Sequence, residues 1–140
     1  MDAGCLTVTK YLLDTNHLSA YLDRHSVLEP RIDAALRAGD RIGVCLPVLF
    51  EYRAGIRLGR YYQRNLSRLR ASLTLFRVWP LDVETSSEFA DLFRECRERG
   101  RTMSQFDMTI AALARQHDLV VLSADQDFQA AERLKWENWL

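Results

Sequence analysis

Short apolar segments that alternate with helical stretches constrain the fold of this chain more than any other feature. Residues 11–13 form one such segment, and residues 42–46, 75–79 and 119–122 form the others. Between them, apolar residues recur every three or four positions, which is the spacing of one helix face. A last helix is predicted over residues 127–134. Alternating strands and helices predict an α/β fold with a mostly parallel, helix-covered central sheet.

Capping residues and glycine indicate where the predicted helices begin and end. Thr15 and Asn16 offer cap chemistry for the first helix, and Gly39 is suited to ending the second. Residues 85–88, Thr-Ser-Ser-Glu, match a capping box. A second cap followed by an acid three residues later occurs at residues 104–107, before a helix that is expected to end near residue 117.

The composition indicates one domain of ordinary size. The chain has 140 residues, which is enough for a single core. It has no run of about 18 apolar residues, and its first residues lack the basic start and apolar stretch of an export signal. We therefore expect a single cytoplasmic domain over residues 1–140. Three widely spaced cysteines, Cys5, Cys45 and Cys96, predict buried reduced thiols rather than disulfides or a zinc site.

The charge balance limits how this chain binds nucleic acid. Its 19 basic residues are matched by 19 acidic residues, so bulk electrostatic attraction to a long nucleic acid is not expected. Local arrangement must provide any RNA contact. An uninterrupted helix would present one stripe of arginines spaced three or four residues apart, unless Gly59 breaks it. These arginines are Arg53, Arg57, Arg60, Arg64 and Arg68.

Four acidic residues occupy positions that point to shared chemistry. Asp14 and Asp125 lie just beyond two predicted strands, and ligands of parallel sheets bind at the carboxyl ends of the strands. Glu51 and Asp107 lie within apolar helical stretches. Converging carboxylates raise one another's pKa values, so either some keep a proton or a cation holds them together. Oxygen ligands favour Mg²⁺ or Mn²⁺ as that cation.

Each of these acids also has a purely structural interpretation. Asp14 would cap the helix that follows it, and Glu51 would pair with a nearby arginine on a helix surface. Asp107 would complete a capping box, and Asp125 would be a turn residue before the last helix. Spacing alone leaves both interpretations open. The histidines are not spaced as a metal-binding pair and are expected to have structural roles. They are His17, His25 and His117.

Four stretches follow one another in an order that is more specific than any single stretch. Residues 11–16 read Tyr-Leu-Leu-Asp-Thr-Asn, and residues 47–55 carry the glutamate. Residues 107–114 carry the next aspartate, and residues 122–128 carry the last one. The ordered set resembles the motifs of PIN-domain nucleases, in particular of VapC-like toxins from bacterial toxin–antitoxin pairs. The resemblance covers residues 11–128, with an N-terminal extension before it.

The resemblance implies a PIN-like three-layer α/β/α fold and a function. Asp14 and Asp107 would be the principal metal ligands. Glu51 and Asp125 would complete the acidic pocket, and Asp127 would compete for the role of Asp125. The implied reaction is hydrolysis of RNA phosphodiester bonds by water that Mg²⁺ or Mn²⁺ activates, with Asp107 or Glu51 as the base. The resemblance also implies a cognate antitoxin that covers the acids, and a homodimer or higher assembly with it.

Two other classes of protein share some of these sequence features. A strand that ends in aspartate also begins the sites of phosphatases and response regulators. This chain, however, has Asn16 where the phosphatase motif has an acid, and Lys135 lies too far along the chain to serve either site. The other alternative is a PIN-like module that binds RNA or protein without cleaving it. The presence of all four acids argues against that module.

Overall fold

The computed structural model describes residues 7–140. Cys5 and most of the predicted N-terminal extension lie outside the described residues. The strands are β1 (Lys10–Leu13), β2 (Arg41–Val44), β3 (Arg77–Val78), β4 (Val120–Leu122) and β5 (Lys135–Glu137). The helices are α1 (Thr15–Leu22), α2 (Leu28–Arg37), α3 (Leu46–Arg57), α4 (Tyr62–Ser72), α5 (Val83–Glu98) and α6 (Gln105–His117). A 3₁₀-helix, Gln126–Ala130, precedes β5.

The five strands form one parallel sheet in the order β3-β2-β1-β4-β5. The chain runs outward from β1 through β2 to β3, then crosses back to β4 and continues to β5. Because crossover connections are right-handed, the reversal places α1 to α4 on one face of the sheet and α5 and α6 on the other. The contacts agree, since α1 packs on α2, α3 and α4, while α5 packs on α6. The predicted α/β fold with three layers is confirmed.

Burial on both faces explains why the strands read as continuous apolar runs. Leu12 and Leu13 of β1 are fully buried, as are Val121 and Leu122 of the neighbouring β4. A strand covered by helices on both faces has no solvent side and therefore does not alternate. No helix within residues 7–140 is long and apolar enough to cross a membrane.

The two described cysteines are free and buried, as predicted. Burial raises the pKa of the Cys45 thiol to about 11 and also raises the pKa of the Cys96 thiol. Since the thiolate is the reactive form, both cysteines are inert core residues.

One predicted helix start is correct and another is wrong. The Ser104 hydroxyl accepts a hydrogen bond from the Asp107 backbone N–H at 3.1 Å, as expected. The capping box before α5, however, pairs Asp82 with Thr85 and not Thr85 with Glu88. The Asp82 carboxylate accepts from the Thr85 N–H at 3.1 Å, and the Thr85 hydroxyl accepts from the Asp82 N–H at 3.0 Å. Aspartate caps a helix as well as threonine does. Because Asp82 precedes Thr85, the helix begins after Asp82 and includes Thr85.

The helix predicted over residues 127–134 is also wrong. A 3₁₀-helix ends at Ala130, and the chain then forms β5, in which Trp136 is the register partner of Val121 in β4. A segment this short is a poor α-helix, whereas the open edge of β4 offers backbone partners for a strand.

Of the two alternatives for the arginines, the interrupted helix is the correct one, because α3 ends at Arg57 and α4 begins only at Tyr62. Gly59, which disfavours helix, lies in the turn between them. The Arg57 guanidinium lies over the Tyr62 ring, 4.8 Å from its centre. That of Arg64 lies 4.3 Å from the centre of the Tyr61 ring. These arginines pack on local aromatic rings instead of forming a single face.

A glycine in β2 allows a side chain to cross that strand. The Trp79 indole N–H reaches past β2 and donates to the Tyr11 carbonyl oxygen of β1 at 3.0 Å. A Cβ atom on Gly43 would overlap this indole and would lie 2.6 Å from the Arg77 carbonyl oxygen. The absence of a side chain at Gly43 thus lets β3 and its following residues stay tied to the central strand.

We expect Gly43→Ala to lower the free energy of unfolding by about 2 kcal/mol, because the added methyl group overpacks a closed site. Gly55→Ala in α3 is the matched control, since an added Cβ atom there meets no heavy atom within 4 Å. Its better helix propensity should raise the free energy of unfolding by up to about 1 kcal/mol. Urea unfolding followed by circular dichroism measures both. Equal stability of the two variants would contradict this account of Gly43.

Candidate active site

A cavity of about 180 Å³ lies at the carboxyl ends of β1 and β4. These are the neighbouring strands from which the chain leaves in opposite directions, and such a switch point opens a crevice in a parallel sheet. All four acids singled out in the sequence line this cavity. Its lining residues are Asp14, Thr15, Asn16, Glu51, Phe106, Asp107 and Asp125.

Asp14 is fixed by the strand before it and by the helix after it. Its backbone N–H donates to the Leu122 carbonyl oxygen of β4 at 3.1 Å. Its carboxylate Oδ1 caps α1 by accepting the His17 backbone N–H at 2.8 Å. The side chain is mostly buried. Asp14, rather than Thr15 or Asn16, is therefore the cap of α1, and it faces the cavity as well.

Glu51 reaches the same cavity from α3. Its side chain is exposed, and within residues 7–140 it forms no ion pair, neither with Arg53 nor with Arg57. The interpretation of Glu51 as half of a surface ion pair is therefore wrong. Its carboxylate can therefore contact a ligand that enters the cavity.

Three aspartates form a tighter group, and two of them, Asp107 and Asp125, line the cavity. Carboxylate oxygens of Asp107, Asp125 and Asp127 all lie within 4.8 Å of one another. Asp125 caps the 3₁₀-helix by accepting the Asp127 backbone N–H at 2.9 Å. This tight turn brings the two side chains together opposite Asp107 on α6. Asp127, expected from the sequence to compete with Asp125, instead joins it.

Repulsion within this group is seen in the pKa of Asp107. Partial burial, together with the negative charge of Asp125 and a hydrogen bond to it, raises the pKa of Asp107 to about 6. The negative charge of Asp127 contributes to the same rise, and the hydrogen bond with Ser104 opposes it. No lysine or arginine lines the cavity. The site thus concentrates negative charge that a cation would neutralise.

The residues present fit a hard divalent cation. Oxygen atoms of carboxylates are the ligands that Mg²⁺ and Mn²⁺ prefer, and four carboxylates line the cavity. In addition, the Thr15 hydroxyl is buried beside Asp14 and has no hydrogen-bond partner within residues 7–140. A buried hydroxyl without a partner is costly, so an oxygen ligand in the cavity would satisfy it.

Two residues of the site did not follow from the sequence. Phe106 is half-buried and lines the cavity beside Asp107. His17 was assigned a structural role, yet its ring nitrogen Nδ1 lies 3.1 Å from Asp14 Oδ1. The position of Phe106 directly before Asp107 was an available indication. For His17, one helical turn after Asp14, the sequence suggested only proximity.

The fold and the acidic cavity define a parallel α/β protein with a carboxylate site at the switch point of its sheet. The model of the PIN domain matches residues 11–134. The chain therefore belongs to the PIN domain family, and the family resemblance drawn from its motifs is confirmed.

Individual relatives are similar over nearly the whole chain. Ribonuclease VapC2 of Haemophilus influenzae is 26% identical over 132 residues, which cover 94% of this chain and 98% of that protein. The structure of VapBC2 from Rickettsia felis, bound to a DNA fragment from their promoter, aligns with a TM-score of 0.85 at 20% identity, covering 94% of this chain and 100% of that one. FitAcB from Neisseria gonorrhoeae aligns with a TM-score of 0.77 at 28% identity, covering 91% and 96%.

We expect Asp107→Asn to stabilise the metal-free protein by about 1–2 kcal/mol at pH 7, because it removes a charge held beside Asp125. The raised pKa of Asp107, about 6 against an ordinary value of 3.8, means that the folded protein binds more protons than the unfolded chain between those values. The stability of the wild-type protein relative to the variant should therefore fall as pH rises through this window.

Thermal unfolding in EDTA from about pH 4 to pH 8 measures this difference. Asp91→Asn, at an exposed position of α5 away from the cavity, is the control and should leave stability unchanged. A gap between wild type and Asp107→Asn that does not widen with pH would contradict the assignment of repulsion to Asp107.

Proposed function

We propose that this chain is a metal-dependent endoribonuclease that hydrolyses RNA phosphodiester bonds with Mg²⁺ or Mn²⁺ and acts as the toxin of a toxin–antitoxin pair. The observation that carries the proposal is the convergence of Asp14, Glu51, Asp107 and Asp125 on one cavity without a basic residue. The name of the Haemophilus influenzae relative, Ribonuclease VapC2, supports RNA as the substrate.

In this proposal the two walls of the cavity share the metal. Asp14 is the ligand from the β1 side, and Asp107 is the ligand from α6, with Asp125 and Asp127 beside it. Glu51 completes the pocket. When bound, the divalent ion lowers the pKa of a water molecule and polarises the phosphoryl oxygen.

The remaining groups suit the handling of a phosphodiester. Glu51 is exposed and has no ion-pair partner among the described residues, so it is the better placed of the two base candidates to accept a proton from the attacking water. The Thr15 hydroxyl, which lacks a partner within residues 7–140, would donate to a phosphoryl oxygen. A cavity of about 180 Å³ admits a phosphate group with water, so the bases of the RNA would lie outside it.

The partner in this proposal is a cognate antitoxin. The solved structures from Rickettsia felis and Neisseria gonorrhoeae are of VapBC2 and FitAcB. We infer a similar assembly here, in which the antitoxin covers the exposed side of the acidic cavity and the toxin forms a homodimer or a higher assembly with it. A ribonuclease of this kind acts where RNA is, in the cytoplasm, and the single PIN-like domain would span the chain.

Purified, antitoxin-free protein should cleave total cellular RNA into discrete fragments with Mg²⁺ or Mn²⁺, and EDTA should stop it. Asp14→Asn and Asp107→Asn should each reduce cleavage by at least about a hundredfold, because each removes a charged metal ligand. Both should stay folded. Asp91→Asn is the control and should cleave like wild type. The measurement is fragment analysis on a denaturing gel.

Full cleavage by a folded Asp14→Asn variant would refute the metal assignment. If wild-type protein binds Mn²⁺ and RNA but leaves the RNA intact, the non-catalytic binding module becomes the better description.

The joint arrangement of Asp125 and Asp127 predicts that both contribute to metal binding. Asp125→Asn and Asp127→Asn should each weaken Mn²⁺ binding by about tenfold or more, as measured by isothermal titration calorimetry. Asparagine keeps a capping oxygen at residue 125, so a loss there reports charge rather than a lost turn. An effect at one position only would return Asp127 and Asp125 to being alternatives.

A further inference from the structure

His17 joins the candidate metal site to the end of the chain. Its side chain is fully buried. The ring nitrogen Nδ1 lies 3.1 Å from Asp14 Oδ1, and the other nitrogen, Nε2, accepts the Trp139 backbone N–H at 3.1 Å. These two residues are 125 positions apart, and one imidazole ring bridges them.

The hydrogen bonds determine which nitrogen carries the proton. A backbone N–H can only donate, so the nitrogen that faces Trp139 must be the unprotonated one. In a neutral imidazole the proton is then on Nδ1. Nδ1–H therefore donates to the Asp14 carboxylate, which accepts at that position.

This arrangement leaves one oxygen of Asp14 for a ligand. Oδ1 accepts two hydrogen bonds, one from the His17 backbone N–H at 2.8 Å and one from the His17 ring at 3.1 Å. Neither bond uses Oδ2. Two donors on one oxygen fix the rotation of the carboxylate and hold the other oxygen in a single direction.

The far side of the bridge is firmly held. Trp139 is 5% exposed, and its indole N–H donates to Glu137 at 3.0 Å. Its ring centre lies 4.8 Å from that of Tyr11 in β1, and the Arg31 guanidinium lies 4.1 Å above it. The amide that faces His17 is thereby fixed relative to the central strand.

We propose that His17 is a positioning residue, a neutral imidazole protonated on Nδ1 that orients the Asp14 carboxylate for metal binding and ties that orientation to the C-terminal segment. The proposal rests on the proposed function in that Asp14 must be a metal ligand. Removing a residue that is hydrogen-bonded to a metal ligand typically weakens metal binding by about 10–100-fold.

Two substitutions separate the two hydrogen bonds of the ring. His17→Asn places an amide N–H where Nδ1–H is, so it keeps the donor to Asp14 and loses the acceptor for Trp139. His17→Gln places an amide oxygen where Nε2 is, so it keeps that acceptor and loses the donor. A residue that merely anchors the chain terminus would need the acceptor. A residue that positions Asp14 needs the donor.

The experiment measures Mn²⁺ affinity by calorimetry and the metal and RNA dependence of cleavage. We expect His17→Gln to weaken Mn²⁺ binding by about 10–100-fold. Most of the cleavage activity that is lost at low metal concentration should return at saturating metal. His17→Asn should stay within a few-fold of wild type. Leu92→Ala controls for lost stability. Leu92 is buried on α5 and does not line the cavity, so this variant should keep wild-type Mn²⁺ affinity.

A spectroscopic test needs no variant. In ¹⁵N-labelled wild-type protein, long-range ¹H–¹⁵N spectra should place the proton of His17 on Nδ1, and a proton on Nε2 would overturn the proposal. Wild-type affinity in folded His17→Gln, or equal losses in both variants, would also overturn it. Mn²⁺ binding that is lost in Asp14→Asn but normal in His17→Gln defeats only the role of His17. Normal Mn²⁺ binding by Asp14→Asn defeats the metal assignment and this proposal together.

Discussion

Repulsion among carboxylates is the constraint around which this structure is arranged. The reversal of chain direction beside β1 opens a crevice at the carboxyl ends of β1 and β4, and Asp14 and Asp125 follow those two strands. Asp107 enters from α6 and Glu51 from α3. An unfolded chain keeps these charges apart, so folding must bring them together against their electrostatic energy. The apolar core under the site has to provide that energy.

A buried arginine elsewhere in the molecule shows how acidic side chains are paired with a cation of the protein itself. On the α5–α6 side, the Arg115 side chain is only 3% exposed, and it donates to Glu95 at 2.7 and 3.1 Å and to Glu88 at 3.2 Å. That cation lowers the pKa of Glu95, whereas Asp107 next to Asp125 has its pKa raised. The same fold therefore pairs acids with a cation where they are structural. It leaves the acids without a basic partner in the lining of the candidate metal site.

Features that depend on neighbouring residues could be predicted from the sequence. Features that depend on contacts between distant residues could not. Each acid of the cavity lies within a short motif, so the set followed from the order of four segments. Strand β5 was missed because its partner is the open edge of β4, and no periodicity in three residues indicates it. The link from His17 to Trp139 joins residues at opposite ends of the chain. The proximity of the Asp127 carboxylate to that of Asp125 depends on the geometry of one tight turn.

The capping roles of Asp14 and Asp125 are compatible with the metal-binding roles proposed for them. Asp14 caps α1, and Asp125 caps the 3₁₀-helix, and in each case one carboxylate oxygen is held by a backbone N–H. A cap holds only part of a carboxylate, so the bond that starts the helix also aims the rest of the side chain. Asparagine makes the same cap without the charge, whereas alanine removes the cap and the charge together. The choice of substitution therefore decides whether an experiment on these residues reports folding or chemistry.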